Sequence, residues 1–407
     1  MRHTLRFRSY LAAVGIGLLA LSTAANATVR TVKAGGSIQA AVDAAKPGDT
    51  ILVEPGTYYG SDPKYGLRIT TNNLRLIGKV REGQGNAGKV RIVYKPGSEQ
   101  KTGVYAAPAG CDYNVSAGSA LGQACKAKTL QGFYIRGFSV EDFPVNGIQT
   151  RWVDGFEFVR NDSVRNLNNG IYPTLSANGL LQNNMSYGSL DTAMWVAGSE
   201  NVRVIGNELH GSVIGFEITV SNNVWVTQNK IYDNTLGIGL FHPNGAGNPP
   251  KPVMKNWVIE HNDVRDNNRP NAAVPGTFQS ALPPGIGILV AGVSDHVVSK
   301  NTVEDNAFVG IAVLGWCTAN AGTPNDCSLN PPIADPAVNN NVIAQNKVSG
   351  NGLNAPPIPI AFLAADITYF EFEGSSGNCF TKNKPAGFSF MSSEGALPTD
   401  GCKASGY

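Results

Sequence analysis

Residues 201–229 decide the fold of this chain, and they read NVRVIGNELHGSVIGFEITVSNNVWVTQN. The motif Asn-Val-x-Val-x-x-Asn occurs twice in this stretch, at 201–207 and at 223–229. Looser copies lie at 256–262, 295–301 and 340–346. Each copy alternates apolar and polar residues, which is typical of a β-strand. A strand motif that returns after about 22 residues indicates a solenoid built from repeats.

A second repeated element places an apolar residue after Gly or another small residue. Its apolar positions are separated by 23, 23, 22 and 22 residues, at Ile148, Ile171, Met194, Phe216 and Ile238. We place later copies, separated by longer loops, at 285–286 and 310–311. A short third element follows each recurring Asn, as in residues 230–232. Each period therefore contains three short strands.

Three strands per period predict an all-β fold, a right-handed parallel β-helix in which each turn of the coil is one rung of about 22 residues. Successive rungs stack about 4.8 Å apart, and the handedness of β-crossover-β connections favours a right-handed coil. Leucine-rich repeats have a similar period, but their Leu framework is absent. We expect the recurring Asn residues to adopt the αL conformation and to form a hydrogen-bonded ladder. They are Asn161, Asn184, Asn207, Asn229, Asn262, Asn301 and Asn346.

The composition agrees with such a coil. Of 407 residues, 47 are Gly and 39 are Asn, and both types tolerate the positive φ of tight turns but weaken helices. The hydrophobic fraction of 42% excludes a disordered chain. Charged residues make up only 15%, with no concentration of positive charge, so no nucleic-acid partner is predicted.

Residues 1–27 are predicted to be a Sec-type signal peptide. Three arginines precede the apolar core at 11–21, which is too short to span a bilayer, and Ala25-Asn-Ala27 is typical of a cleavage site. Removing this segment changes the formal net charge from +2 to −1. No other apolar run approaches the length of a membrane span. We therefore expect an exported protein, periplasmic or extracellular, whose oligomeric state stays open.

The six cysteines predict three disulfides, because an even number is typical of exported proteins. Pairing between sequence neighbours gives Cys111–Cys125, Cys317–Cys327 and Cys379–Cys402. A zinc site is the alternative, but the chain has no Cys-x-x-Cys motif and no cluster of His.

We divide the mature chain into a β-helix with an N-terminal cap, residues 28–360, and a last part with the final strands and a disulfide-tied C-terminal cap, residues 361–407. Residues 37–46 predict a short amphipathic helix with Ser37 as its N-cap, ended by Pro47-Gly48. Its apolar side would cover the open end of the coil, which otherwise exposes strand edges.

Residues 37–58, SIQAAVDAAKPGDTILVEPGTY, resemble the start of many secreted pectate-lyase-like β-helix proteins. The central run resembles a bacterial family of right-handed parallel β-helix repeat proteins. The matching pieces are Gly170-Ile-Tyr-Pro173, Asp191-Thr-Ala-Met194, Gly215-Phe-Glu-Ile218, Gly237-Ile-Gly-Leu240 and Gly377-Asn-Cys-Phe380. The resemblance implies the fold, and its fold-mates, which are polysaccharide lyases, hydrolases and uronate epimerases, imply a polysaccharide partner. The chain departs from the pattern at Ala193 and His242 and lacks the Asp-Pro-His-Asp string of alginate epimerases.

Strand alternation directs the residue after each inward apolar position outward. The predicted outward column is Tyr105, Gln149, Tyr172, Trp195, Glu217, Gly239, Gly287 and Ala312. The neighbouring column is Arg151, Thr174, Ala197, Thr219, Phe241, Leu289 and Leu314. Loops at 107–128, 243–255, 266–284 and 316–338 adjoin this strand, and we expect them to wall a groove over it. The alternative is that they are only surface decoration.

Two chemistries fit this face. A uronate lyase or C5-epimerase needs a proton-transfer group, assigned to Tyr172, and a cation that neutralises the carboxylate, assigned to Arg151. A hydrolase needs two carboxyl groups, for which Glu217 and Asp191 are the candidates. From the sequence we place the lyase or epimerase ahead of the hydrolase. The predicted substrate-binding residues are Tyr105, Gln149, Trp195, Phe241, His210 and His242.

A non-catalytic carbohydrate-binding or cell-surface protein is the alternative from another class. Each candidate also has a structural interpretation, as a packed aromatic, a solvated carboxylate or a turn residue. No cofactor is predicted. Calcium stays open as an alternative, but no acidic cluster in the sequence has the spacing of calcium ligands. If Tyr172, Glu217 and Arg151 do not converge within one groove, the catalytic interpretation loses its basis.

Overall fold

The computed structural model describes residues 27–80, 88–242, 254–324, 326–329, 331, 335–399 and 401–402. The predicted signal peptide, apart from Ala27, and most of the loop at 243–255 lie outside the described residues. Within the described part of the chain, no helix is long and apolar enough to cross a membrane.

Three parallel sheets run along one coil, and each rung passes through sheets 1, 2 and 3 in turn. Sheet 1 has twelve strands in the described residues. They are Val29–Val32, Thr50–Val53, Leu74–Gly78, Leu130–Arg136, Val153–Val159, Ala177–Gln182, Glu200–Ile205, Asn222–Thr227, Lys255–Glu260, Val297–Ser299, Val342–Ala344 and Cys379–Thr381. The repeated Asn-Val-x-Val motif belongs to this sheet.

Sheet 2 is formed by the short third element of each period, with ten strands among the described residues. They are Gly56–Tyr59, Val90–Val93, Phe138–Glu141, Asp162–Val164, Met185–Tyr187, Glu208–His210, Lys230–Tyr232, Asp263–Arg265, Thr302–Glu304 and Lys347–Ser349.

Sheet 3 is formed by the Gly-Ile element, with eleven described strands. They are Tyr65–Ile69, Thr102–Ala106, Ile148–Arg151, Ile171–Thr174, Thr192–Ala197, Ile214–Thr219, Leu236–Phe241, Ile286–Ala291, Val309–Leu314, Ala365–Phe370 and Phe390–Ser392. Ile148, Ile171, Met194, Phe216 and Ile238 are paired rung to rung as predicted. The three sheets enclose one apolar core that follows the whole coil.

One predicted register in sheet 3 is wrong. Ile238 pairs with Ile288, so the repeat continues at Gly287-Ile288 and not at Gly285-Ile286. Leu289 therefore takes the outward position beside Gly239, and Ala291 follows Phe241 in the neighbouring column. Gly285-Ile286 and Gly287-Ile288 are two residues apart, so both fit the same alternation of inward and outward residues. The sequence pattern alone therefore does not show which pair continues the repeat.

The glycine before each inward Ile is required by a close approach between rungs. A Cβ on Gly237 would lie 2.5 Å from the carbonyl oxygen of Gly287 and 2.7 Å from a methyl group of Val264. Because neither backbone nor core can move away, the corner between sheets 2 and 3 accepts only very small residues. This contact explains the Gly of the repeated motif.

The predicted Asn ladder is confirmed, and it is buried. In each of its seven rung-to-rung steps, from Asn161 to Asn383, the side-chain amide donates to the next Asn Oδ1 at 2.8–3.2 Å. Asn207, for example, also donates to the Leu181 carbonyl and accepts from the backbone N–H of Asn184. The ladder thus pairs buried backbone groups that the turn leaves without partners.

The αL conformation was assigned to the wrong residue of this turn. The positive φ belongs to the residue directly before each ladder Asn, such as Asn183, Gly206 and Gln228. A second, exposed ladder does combine Asn with positive φ, through Asn178, Asn201, Asn223 and Asn256. The buried Asn is selected for its hydrogen bonds, and its neighbour for the turn.

The predicted cap and disulfides are present. Helix α1 (Ile38–Asp43) begins after Ser37, whose Oγ accepts from the Ala40 N–H at 3.1 Å, and it ends three residues before the predicted end. Ile38 and Val42 are buried against the first rungs. The disulfides join Cys111–Cys125, Cys317–Cys327 and Cys379–Cys402, as the spacing predicted. Helices α2 (Ala120–Ala127) and α3 (Trp316–Asn320) and the 3-10 helices Phe278–Ala281 and Ala361–Leu363 lie in loops.

We expect Asn207→Ala to lower the free energy of unfolding by at least about 3 kcal/mol, because it leaves several buried donors and acceptors unpaired. Asn201→Ala, on the exposed ladder, is the matched control and should cost about 1–2 kcal/mol from its αL backbone. Urea unfolding followed by circular dichroism measures both. Equal losses in the two variants would contradict the importance of the buried ladder.

Candidate functional site

A cavity of about 440 Å³ lies on the outer face of sheet 3. Its floor includes side chains from successive rungs, namely Arg151, Tyr172, Trp195, Glu217 and Phe241. Its walls include residues of three of the four loops that were expected to form a groove, at 107–128, 266–284 and 316–338, through Ser116, Phe278, Gln279 and Trp316. The three residues whose convergence was the test, Arg151, Tyr172 and Glu217, therefore line one cavity.

Asp191 and Glu217 form a carboxyl pair in this cavity. The Thr192 hydroxyl oxygen lies 2.7 Å from Glu217 Oε2 and 3.2 Å from Asp191 Oδ1. One hydroxyl has only one proton, so it cannot donate to both carboxylates. The geometry therefore favours a state in which one carboxyl is protonated and donates to Thr192, while Thr192 donates to the other.

The surroundings hold a proton on this pair. Burial raises the pKa of Asp191 to about 6. Burial, reinforced by the neighbouring Asp191 charge, raises the pKa of Glu217 well above its ordinary value. Glu217 is 6% exposed, and Asp191 is partly exposed. The pair thus keeps a proton at a pH where solvated carboxyl groups have lost theirs, as acid–base catalysts require.

Tyr172 and Trp195 stack on one another beside the pair. Their ring centroids are 4.6 Å apart with an interplanar angle of 14°, so one face of each ring is covered by the other. Only the remaining face and the edges of each ring are therefore left for contact with a ligand. Trp195 Nε1 donates to Thr219 Oγ1 at 3.0 Å, which fixes the indole. Desolvation raises the pKa of Tyr172 to about 12, so the phenol carries its proton at neutral pH.

Arg151 ties a loop to the coil. Its guanidinium donates to the carbonyl oxygens of Asp112 at 3.3 Å, of Tyr113 and of Val115 at 2.7 Å. It also lies over the Trp152 ring at 4.4 Å. These bonds hold the loop at 107–128 against sheet 3, where it forms a cavity wall. That the remaining N–H donors of Arg151 neutralise a substrate carboxylate stays a prediction.

Three of the predicted binding residues do not line the cavity. Tyr105 is fully buried, stacks on Tyr65 and donates to the Cys111 carbonyl at 3.1 Å. Gln149 is 2% exposed and accepts from Asn146. Tyr105 packs against the loop at 107–128, a contact that the outward direction of its strand does not reveal.

His210 was placed beside the wrong sheet. It belongs to sheet 2 and stacks between Tyr187 and Tyr232, with ring centroids 5.0 Å apart on each side. Its strand, Glu208–His210, directly follows the ladder residue Asn207, and this position in the period is the signal that assigns His210 to sheet 2. Phe241 and His242, in contrast, do line the cavity.

The sequence did not single out Thr192, Phe278 or Trp316. Thr192 and the core residue Met194 would share one face under strict alternation. The corner at Ala193 breaks that alternation, so Thr192 reaches outward to Glu217. Phe278 and Trp316 come from loops and stack at 5.7 Å. An aromatic residue in a long loop beside the Gly-Ile strand is the only sequence signal for them.

The candidate site offers no metal cluster. Among the described residues, no group of three or more His, Cys, Asp or Glu side chains is arranged to hold a metal ion.

Comparisons with known proteins identify the fold. Residues 146–327 match the family model described as the right handed beta helix region. This chain is a right-handed β-helix. Among solved structures, the A-module of Azotobacter vinelandii mannuronan C-5 epimerase AlgE6 is similar, with a TM-score of 0.56 and 17% identity over 89% of this chain and 95% of that chain. The AlgE4 A-module from the same organism has a TM-score of 0.55 and 14% identity over 89% and 93% of the chains. No curated protein sequence matches the chain.

We expect Glu217→Gln to stabilise the protein at pH 8 and to have little effect at pH 4. The folded-state pKa values of the pair lie above those of the unfolded chain, so the folded state binds the extra proton. The stability that the pair contributes is present below about pH 4 and is lost as the pH rises through the folded-state values, about 6 for Asp191.

Thermal unfolding midpoints between pH 4 and pH 8 measure this difference. The control is Glu157→Gln, which makes the same change at an exposed position of sheet 1. A Glu217→Gln midpoint that stays below wild type across the whole range would contradict the raised pKa values.

We expect Arg151→Gln to loosen the loop at 107–128. Hydrogen bonds to a charged group are worth roughly 1.5–3 kcal/mol each, so amide exchange in the loop should accelerate by about tenfold or more. Hydrogen–deuterium exchange with peptide resolution measures it, and Arg136→Gln, at an exposed position of sheet 1, is the control. Unchanged exchange in the loop would show that Arg151 does not hold it.

Proposed function

We propose that the protein binds a polysaccharide in the cavity over sheet 3 and hydrolyses glycosidic bonds with Asp191 and Glu217. The observation that carries the proposal is the pair of carboxyl groups, of Asp191 and of the buried Glu217, that share the Thr192 hydroxyl. The neighbouring Tyr172 and Trp195 rings offer apolar contact to a sugar. The β-helix fold, which the two mannuronan C-5 epimerase modules share, supports a polysaccharide as the ligand.

The two carboxyl groups take different roles in this proposal. Glu217, the more deeply buried, donates its proton to the glycosidic oxygen while the bond between the sugar C1 and that oxygen breaks. Asp191, as carboxylate, forms a bond to C1. Water then attacks C1, Glu217 takes its proton, and Asp191 leaves.

The short distance between the Asp191 and Glu217 carboxyl groups favours this route, which retains the configuration at the sugar C1. Glu217 Oε2 and Asp191 Oδ1 both lie within hydrogen-bonding distance of the Thr192 hydroxyl oxygen, at 2.7 and 3.2 Å. An inverting hydrolase keeps its two carboxyl groups about 6.5–9.5 Å apart to accommodate a water molecule. The nearest oxygens of Asp191 and Glu217 are closer than that.

A uronate lyase or C5-epimerase is the second candidate, supported by the Tyr172 phenol and Arg151 in the same cavity. Two features place it behind the hydrolase. Arg151 already donates to three carbonyl oxygens, and the carboxyl pair adds negative charge where a uronate carboxylate would have to bind. Export of the protein is part of the proposal and is supported by the three disulfides.

A panel of neutral and acidic polysaccharides, followed by reducing ends and by the ultraviolet absorbance of unsaturated products, tests the proposal. We expect new reducing ends without unsaturated products from a neutral polysaccharide. Glu217→Gln and Asp191→Asn should each lower the rate by about 100-fold or more, since a positioned acid or base contributes roughly 10²–10⁴. Glu157→Gln is the control.

The other outcomes separate the alternatives. Unsaturated products that disappear in Tyr172→Phe would favour the lyase. A change of uronate configuration without new reducing ends would favour the epimerase. Binding without turnover, unchanged in Glu217→Gln, would leave a carbohydrate-binding protein and contradict the hydrolase.

A further inference from the structure

A second, apolar cavity lies beside the candidate site on the same face of sheet 3. Its volume is about 140 Å³. Sheet 3 contributes Ile286, Leu289, Val309 and Ala312, while loops contribute Leu282 and Leu363. These side chains belong to a hydrophobic cluster outside the coil that is distinct from the main core. We call this space the side cavity.

The side cavity has the chemistry of a site for a neutral apolar group. None of the described residues that line it carries an ionisable side chain. A charged sugar acid would lose its hydration there without a partner, which is costly. An apolar cavity of about 150 Å³ lined by aliphatic and aromatic side chains is known to bind benzene. The side cavity therefore has room for about one aromatic ring.

The side cavity adjoins the candidate site through three aromatic residues. Phe241, Phe278 and Trp316 line both cavities. Phe278 makes an edge contact with Phe241 at 5.2 Å and stacks with Trp316 at 5.7 Å. A ligand that occupies both spaces must pass beside these rings, and such contacts favour an aromatic substituent. The substituents of a sugar bound in the candidate site would face these three aromatic residues, which lie between the two cavities.

We infer that the side cavity binds an aromatic acyl group carried by the polysaccharide whose sugar occupies the candidate site. The position of the sugar rests on the proposed function, whereas the affinity of the side cavity for a neutral aromatic ester does not. The substrate class is accordingly a polysaccharide esterified with an aromatic acid. An unsubstituted polysaccharide would leave the side cavity unfilled.

Methyl benzoate is the probe for the side cavity, titrated by calorimetry. Wild type should bind it saturably, and Ala312→Leu, which places extra atoms in the side cavity, should weaken binding by at least tenfold. Leu289→Phe provides a second filling variant if the first unfolds. Ala44→Leu, at an exposed position next to α1, is the control and should bind as wild type. The inference is overturned if wild type shows no saturable binding, or if both filling variants bind methyl benzoate as tightly as wild type.

A second comparison links the side cavity to the candidate site. Wild type should bind a benzoylated oligosaccharide at least tenfold more tightly than the unsubstituted one, and Ala312→Leu should remove this preference. A preference that survives in Ala312→Leu overturns the link.

The two proposals fail in different ways. Glu217→Gln should abolish turnover and leave methyl benzoate binding unchanged, whereas Ala312→Leu should leave turnover of unsubstituted polysaccharide unchanged. Absent turnover with normal methyl benzoate binding therefore rejects the hydrolase alone.

Discussion

The buried Asn ladder is the interaction on which the rest of the structure depends. Each ladder Asn pairs backbone groups of the preceding rung, as Asn207 does with Leu181 and Asn184. Its amide also donates to the next Asn at 2.8–3.2 Å, so adjacent rungs have one allowed register. A one-residue slip would leave these buried groups unpaired and would also turn the core side chains outward. The register in turn fixes which outward side chains become neighbours. Trp195 lies beside Glu217 because Met194 must lie beside Phe216.

The carboxyl pair places a destabilising group on this rigid scaffold. Two desolvated carboxyl groups near one hydroxyl oppose ionisation, as their raised pKa values show. The coil can hold them because Thr192 is fixed in a strand and Glu217 in the next rung, so neither backbone can move apart without breaking the ladder. The loops complete the environment by forming walls of the cavity around the pair. Arg151 contributes to this by holding one wall, which is a positioning role rather than direct chemistry.

The fold was accessible from the sequence because its determinants are local and repeated. The period, the Gly corner, the disulfide spacing and the Ser37 cap each depend on residues close in the chain. Tyr172 and Glu217 followed from alternation plus period, and Asp191 followed from its place in the turn before Trp195. The contacts that the loops make with the coil could not be predicted from the sequence. The burial of Tyr105 and the carbonyl partners of Arg151 arise from the path of residues 107–128, which no period describes. Thr192 was missed because the corner at Ala193 breaks the alternation.

Titration of the Glu217 carboxyl group tests the central claim, that the rung register creates a proton-sharing carboxyl pair, most directly. Carbon-13 NMR of protein labelled at the Glu side-chain carboxyl, with Glu217→Gln to assign the resonance, follows its protonation. The structure predicts that Glu217 titrates well above the ordinary value and that Asp191→Asn lowers its pKa, because the neighbouring charge is removed. A Glu217 resonance that titrates at the ordinary value of a solvated Glu, and is unchanged in Asp191→Asn, would contradict the account.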